Sequence, residues 1–194
     1  MALTEILKKE HDHIVEMWLN TLFSTYHPKT AQFLGNKRNK FDNPVGSTFK
    51  EAIYPLFDEI IGDFDEDKIR HCLDEIIRIR AVQDFVPSQA VGIFVVLKDI
   101  IRKVLPAKKG IEPDLYEELF VFDAKVDRVA LMAFDVYMAC RERIWEIKLN
   151  DFKKRPIFAE GHMCLSYMLR RGLKHKQKHS SDATQFTDIR PQEN

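Results

Sequence analysis

The strongest constraint on how this chain folds is the run from Asp114 to Arg155, which contains neither proline nor glycine. Those are the two residues that most readily stop a helix, so the run predicts one long helix over about 113–154. Within it Leu115, Leu119, Phe122, Val126, Val129, Ala133, Val136 and Cys140 recur at alternating steps of four and three. The seam then skips by four to Ile144 and continues to Ile147. A period near 3.5 residues sustained this far is the pattern of a packed bundle or coiled-coil seam. A second stripe of Phe134, Tyr137, Met138, Trp145, Leu149 and Phe152 adds more apolar surface than one contact covers. Phe134, Tyr137, Met138, Trp145 and Leu149 are therefore the candidate residues of a homodimer interface, the alternative being a large bundle within one chain.

The rest of the chain predicts more helices. It has only seven glycines and no alternating Val/Ile/Thr runs of the kind that make strands. A first helix is expected from about Thr4 to Tyr26, striped by Ile6, Leu7, Ile14, Met17, Trp18 and Leu22. "HPKTAQFLGNKRNKFDNPVG" (27–46) reads as a loop with one helical turn at Thr30–Leu34. A second helix starts near Ser47, with its hydroxyl as cap, and runs to about Ile61, with Pro55 kinking it. Asp65 is a good N-cap for a third, Glu66–Asp84, that buries Ile69, Leu73, Ile76 and Ile77. A fourth starts at Pro87 and runs to about Leu105. Its "AVGIFVVL" core is expected to be packed all round, with Gly92 admitting a close backbone neighbour. The fold class is thus all-α, a globin-like or helical-bundle domain of about five main helices with a long final helix. The domain spans 1–155, and 156–194 reads as a basic, largely flexible tail.

Thirty basic residues balance thirty acidic ones, which argues against non-specific phosphate binding and hence against nucleic acid as a partner. The longest mostly apolar stretch, Ala90–Leu97, falls far short of the ~20 residues needed to span a bilayer. "MALTEILKKEHDH" lacks the apolar core of a secretory signal. Cys72, Cys140 and Cys164 are too few and too scattered for a disulfide framework. The expected location is the cytoplasm.

Chemistry-bearing motifs are weak. His71 with Glu75, and His11, His13 and Glu16, offer at most pairs of metal ligands, and exposed histidines are the simpler reading. "GHMC" (161–164) lacks the second ligand pair of a zinc site. His71 as a phosphoryl acceptor is disfavoured by Asp74 and Glu75, which would repel the incoming group. The fourth and fifth helices hold no histidine to ligate haem. No phosphate-binding glycine loop, nucleophile elbow or HExxH is present. No catalytic residue, metal ligand or cofactor is therefore assigned, and a haem- or metal-binding globin-like sensor is the runner-up reading. The basic run Arg170–Lys178 reads as a solvated tail, the alternative being a contact with acidic protein, nucleic acid or anionic lipid.

One stretch is anomalous: "RIRAVQDFVPSQAVG" (78–92) collects polar residues where one buried helix ends and another begins. On the spacing 69, 73, 76, 80, Arg80 falls in phase with the buried stripe. A buried arginine needs a partner, and Asp84, one turn on, is the nearest candidate. Gln83, Ser88 and Gln89 would complete the network or cap the fourth helix. These five residues either weld the corner between helices or form a polar ligand or signal-relay site.

"DEIIRIRAVQDFVPSQAVGIFVVLKDIIRKVL" (74–105) resembles the N-terminal domain of the RsbRD-type RsbT co-antagonist proteins. The similarity extends to "FDNPVGSTFKEAIYPLFDEII" (41–61) and "VDRVALMAFDVYMACRERIWEIKLNDFKKR" (126–155), so it covers about residues 4–155. The resemblance implies a sensor or regulatory module of stress signalling, not an enzyme: a haem-free, globin-like domain that dimerises. In such proteins it is joined by a helical linker to a STAS domain that engages a serine/threonine kinase. Here residues 156–194 are too few for a STAS domain. The expected partner is then a separately encoded signalling protein of STAS or kinase type.

Overall fold

The computed structural model describes residues 3–36, 41–83, 85–105 and 113–153, with side chains of 113 and 114 excepted. Two units divide the chain, Met1–Glu146 and Ile147–Asn194. Of the second, only 147–153, the last turns of a helix, are described. The expected boundary at 155–156 lies outside the described residues.

Among the described residues there are eight helices and no strand: α1 (Leu3–Lys9), α2 (His11–Ser24), α3 (Pro28–Gly35), α4 (Pro44–Ile61), α5 (Glu66–Val82), α6 (Pro87–Val95), α7 (Leu97–Val104) and α8 (Pro113–Lys153). The chain is all-α with a long final helix.

Local chemistry explains most boundaries. Asp65 caps α5 as expected, its carboxylate accepting from the backbone N–H of Asp67 and Lys68. These bonds hold its carboxyl below the ordinary aspartate range. The cap of α4 is a correction: it is Asn43, not Ser47. Asn43 Oδ1 accepts from Gly46 N at 2.9 Å, and Pro44 fills the first helical position. The Asn43 amide also donates to Leu34 O at 3.0 Å and Phe33 O at 3.1 Å, closing the end of α3. One buried side chain thus satisfies two helix ends. Gly46 is required beside it, because a Cβ there would lie 2.4 Å from Asn43 Nδ2 and 2.6 Å from Leu34 O.

Two predicted helices are each broken in two. The first divides at Glu10 (φ −96°, ψ 14°) without proline or glycine. The fourth divides at Val96, where Val95 and Val96 place two β-branched residues in succession. Nor is that segment packed all round: Val95 is 44% exposed, and a Cβ on Gly92 would meet nothing within 4 Å. The expected close approach at Gly92 does not occur.

The core is gathered around α2. Ile14, Trp18 and Leu22 are fully buried. Trp18 Nε1 donates to Ile93 O of α6 at 2.8 Å, and its ring meets Phe94 edge-on. Helices α4 and α5 pack together, and Phe49, Ile53, Leu56 and Ile60 of the one and Ile69, Leu73 and Ile76 of the other are all buried. The α8 seam is buried from Phe122 through Val126, Val129 and Ala133 to Val136. Polar groups fasten it on either side. Lys98 of α7 pairs with Asp127 at 2.6 Å, and Arg102 with Asp123. Lys125 Nζ donates to Ile60 O and Gly62 O at the end of α4.

Candidate functional site

Arg80 enters the interior because α5 presents it on the face already occupied by Ile69, Leu73, Ile76 and Ile77. It is wholly buried, the only charged side chain buried among the described residues. Three elements meet around its guanidinium. Nη1 donates to Thr25 Oγ1 just past the end of α2, at 3.1 Å. Nη2 donates to Gln89 O in the first turn of α6, at 2.9 Å. The Thr25 hydroxyl proton is committed to Leu22 O at 2.7 Å, so a lone pair faces Arg80. The Phe85 ring stacks over the guanidinium 4.1 Å from its carbon, and the Tyr26 ring stands 5.7 Å away.

This accounting leaves a deficit. Arg80 Nε is buried and has no hydrogen-bond partner. Among the described residues no carboxylate bonds to the guanidinium; its neighbours are the Thr25 hydroxyl, the Gln89 carbonyl, the faces of Phe85 and Tyr26, and the neutral Tyr26 hydroxyl. Burial pushes its pKa below arginine's ordinary value, and Tyr26 only partly opposes that shift. The last carbonyls of α2 and the end of α5 supply partial negative charge, not a full counter-ion.

The predicted corner residues fare unequally. Gln83 is exposed but its Oε1 accepts from Tyr26 OH at 2.9 Å, latching one aromatic cover over Arg80. Gln89 contributes its carbonyl; its side chain is exposed, as is Ser88. Asp84 lies outside the described residues. Arg78 turns outward to Asp74 at 2.8 Å. Thr25, Tyr26 and Phe85 were not anticipated, since no local pattern links 25–26 to 80.

The corner is also gripped by α8. Tyr137 OH donates to Phe85 O at 2.6 Å, and Arg141 Nη1 donates to Ala81 O at 3.2 Å. Tyr137 is therefore placed inside its own chain, 3% exposed, and not on an outer face with the other interface candidates. Phe134, Met138 and Trp145 are exposed at 43%, 40% and 66%. In the second unit, Leu149 is exposed as well.

Elsewhere the chemistry is sparse. His71, Glu75, His13 and Glu16 are exposed. His11 bonds Asp58 through Nε2 at 2.9 Å and Asp12 through Nδ1 at 3.1 Å. Among the described residues no three His, Cys, Asp or Glu side chains converge as a metal site would require. "GHMC" and the basic run lie outside the described residues. A cavity of about 370 Å³ opens between α1, α4 and α8, floored by Leu7, Ile60 and Phe122. Two of its polar side chains are already engaged: Glu118 accepts from Leu3 N, and Lys125 donates to Ile60 O and Gly62 O.

The buried polar corner of α2, α5 and α6 is thus also clasped by α8, through Tyr137 and Arg141. The sequence matches the RsbT co-antagonist protein RsbRD N-terminal domain over residues 12–150, and the chain belongs to that family. The family is one of regulatory signalling domains associated with stress responses. An uncharacterized protein of Archaeoglobus fulgidus is 27% identical over 141 residues, covering 71% of this chain and 82% of that protein. No solved structure matches the chain. No helix of the described residues is long and apolar enough to cross a membrane.

Proposed function

We infer that the chain is a non-enzymatic sensor module of stress signalling, a homodimer joined through the outer face of α8, with the Arg80 corner as its relay. The observation that carries this is the doubly apolar character of α8. One face is the buried seam. On the other, Leu131, Phe134, Met138 and Trp145 follow one another at helical spacing and are 68%, 43%, 40% and 66% exposed. A contiguous apolar stripe of this kind on one helix favours burial against a copy of itself, since two-fold pairing covers both stripes with one contact.

The relay follows from connectivity. Arg80, Phe85 and Tyr137 form a chain of contacts from the buried guanidinium to the helix that carries the stripe. A change at the corner thus acts on α8 directly. The output is contact with a signalling partner of the STAS or kinase type, as the family membership suggests. The free thiols Cys72 and Cys140 are in keeping with a reducing, cytoplasmic setting.

Light scattering on the size-exclusion peak tests the reading. The wild-type protein is expected to elute as a dimer. The double variant Leu131→Glu/Met138→Glu is expected to be a folded monomer, because both side chains lie outside the buried seam, 68% and 40% exposed, where a carboxylate can reach solvent. A wild-type monomer at tens of micromolar would overturn it.

A further inference from the structure

We propose that Arg80 anchors a binding site for a small organic carboxylate at the α5–α6 corner. The inference extends the sensor reading by naming the chemistry of what is sensed. It stands on a separate observation: a buried cation that is not neutralised among the described residues.

Buried charges are ordinarily paired, because removing an ion from water is costly and a well-placed counter-ion with hydrogen bonds offsets that cost. Arg80 has neutral partners at two of its five N–H groups. Its Nε–H has none. The aromatic rings lie over the guanidinium, Phe85 at 4.1 Å from its carbon. A guanidinium attracts a ring to its face, whereas hydrogen-bond acceptors approach its edge in the plane. The edge carrying Nε and a neighbouring Nη hydrogen matches the two oxygens of a carboxylate, the paired geometry in which arginine binds that group most strongly.

The surroundings favour a small anion. Helix α6 begins at Pro87 beside the guanidinium, and its N-cap, Val86, offers no side-chain acceptor to its positive end. Arg80 is wholly buried, so an acidic side chain on a folded partner does not reach it, while a free molecule does once the cover turns. That cover is thin: Tyr26 and Phe85 are half-buried, and the latch between Tyr26 and Gln83 is a single exposed hydrogen bond. A planar monoanion also suits one cation under aromatic cover better than a tetrahedral dianion, whose desolvation is costlier. Entry displaces Phe85, whose own carbonyl holds Tyr137, so occupancy is communicated to α8.

The test is a titration of the wild-type protein with sodium acetate, against sodium chloride at equal ionic strength, followed by the Arg80 Nε–H resonance. Arg80→Lys assigns that resonance by its loss. Acetate is expected to shift it saturably while chloride does not. The melting temperature should rise by about 3 °C at ten times the dissociation constant, and Arg80→Met should abolish the rise. No saturable shift, an equal shift with chloride, a response to phosphate alone, or an undiminished melting rise in Arg80→Met would each overturn the proposal. Should Arg80→Met not fold, the wild-type titration decides the matter alone. Because the resonance is read irrespective of oligomeric state, failure here is distinct from failure of the dimer.

Discussion

Asn43 shows how much one side chain organises. It is 2% exposed and bonds both the first turn of α4 and the last carbonyls of α3. Asn43→Ala leaves those buried groups unpaired, and a loss of about 2 kcal/mol in chemical denaturation is expected. Gly46→Ala should also destabilise, since its Cβ has no room beside Leu34 O. Arg80 separates shape from charge. Arg80→Ala, which opens a cavity and strands Gln89 O and Thr25, is expected to cost about 3 kcal/mol. Arg80→Met keeps the volume and removes an isolated buried charge, so its cost should stay within about 1 kcal/mol of wild type. Equal losses in the two variants would show that the hydrogen bonds, not the packing, hold the corner.

Most helices were legible, because the 3.6-residue recurrence of apolar positions and the caps are local signals; the exception is 27–46, read as a loop with one turn at Thr30–Leu34, where α3 runs from Pro28 to Gly35. Asp65, Pro87 and the stripe 69–73–76–77 all stand where periodicity puts them. The failures have one character. The break at Glu10 has no proline or glycine to announce it. The α6–α7 break at Val96 interrupts a run whose apolar residues permit a continuous helix. Ser47 was a plausible cap, but Asn43 serves because its amide also reaches the end of α3. Tyr137 belongs to the outer stripe by spacing and yet turns inward to the Phe85 carbonyl. Tyr137→Phe retains the ring and removes that bond, with an expected cost of about 1 kcal/mol. Amide exchange should quicken at the α5–α6 corner and remain unchanged across the α4–α5 pair. Uniform acceleration would mean that the hydroxyl supports the whole domain and not the relay.

For the molecule entire, the exposed stripe of α8 has a thermodynamic consequence. If two copies bury it together, the melting temperature depends on concentration. A hundredfold dilution of wild type should lower it by several degrees, while Leu131→Glu/Met138→Glu should melt at one temperature throughout. Concentration-independent melting of the wild type would count against the dimer.

The all-helical class, the long α8 with its seam, the Asp65 cap and the burial of Arg80 could be read from residue order alone. Each depends on neighbours within a turn or two, where helical geometry makes spacing equivalent to direction. The contacts that give Arg80 its meaning could not. Thr25 is 55 positions away, Gln83 meets Tyr26 across 57, and Phe85 meets Tyr137 across 52. Such pairings arise when helices dock, and docking is decided by the summed packing of the whole core, which no local pattern records.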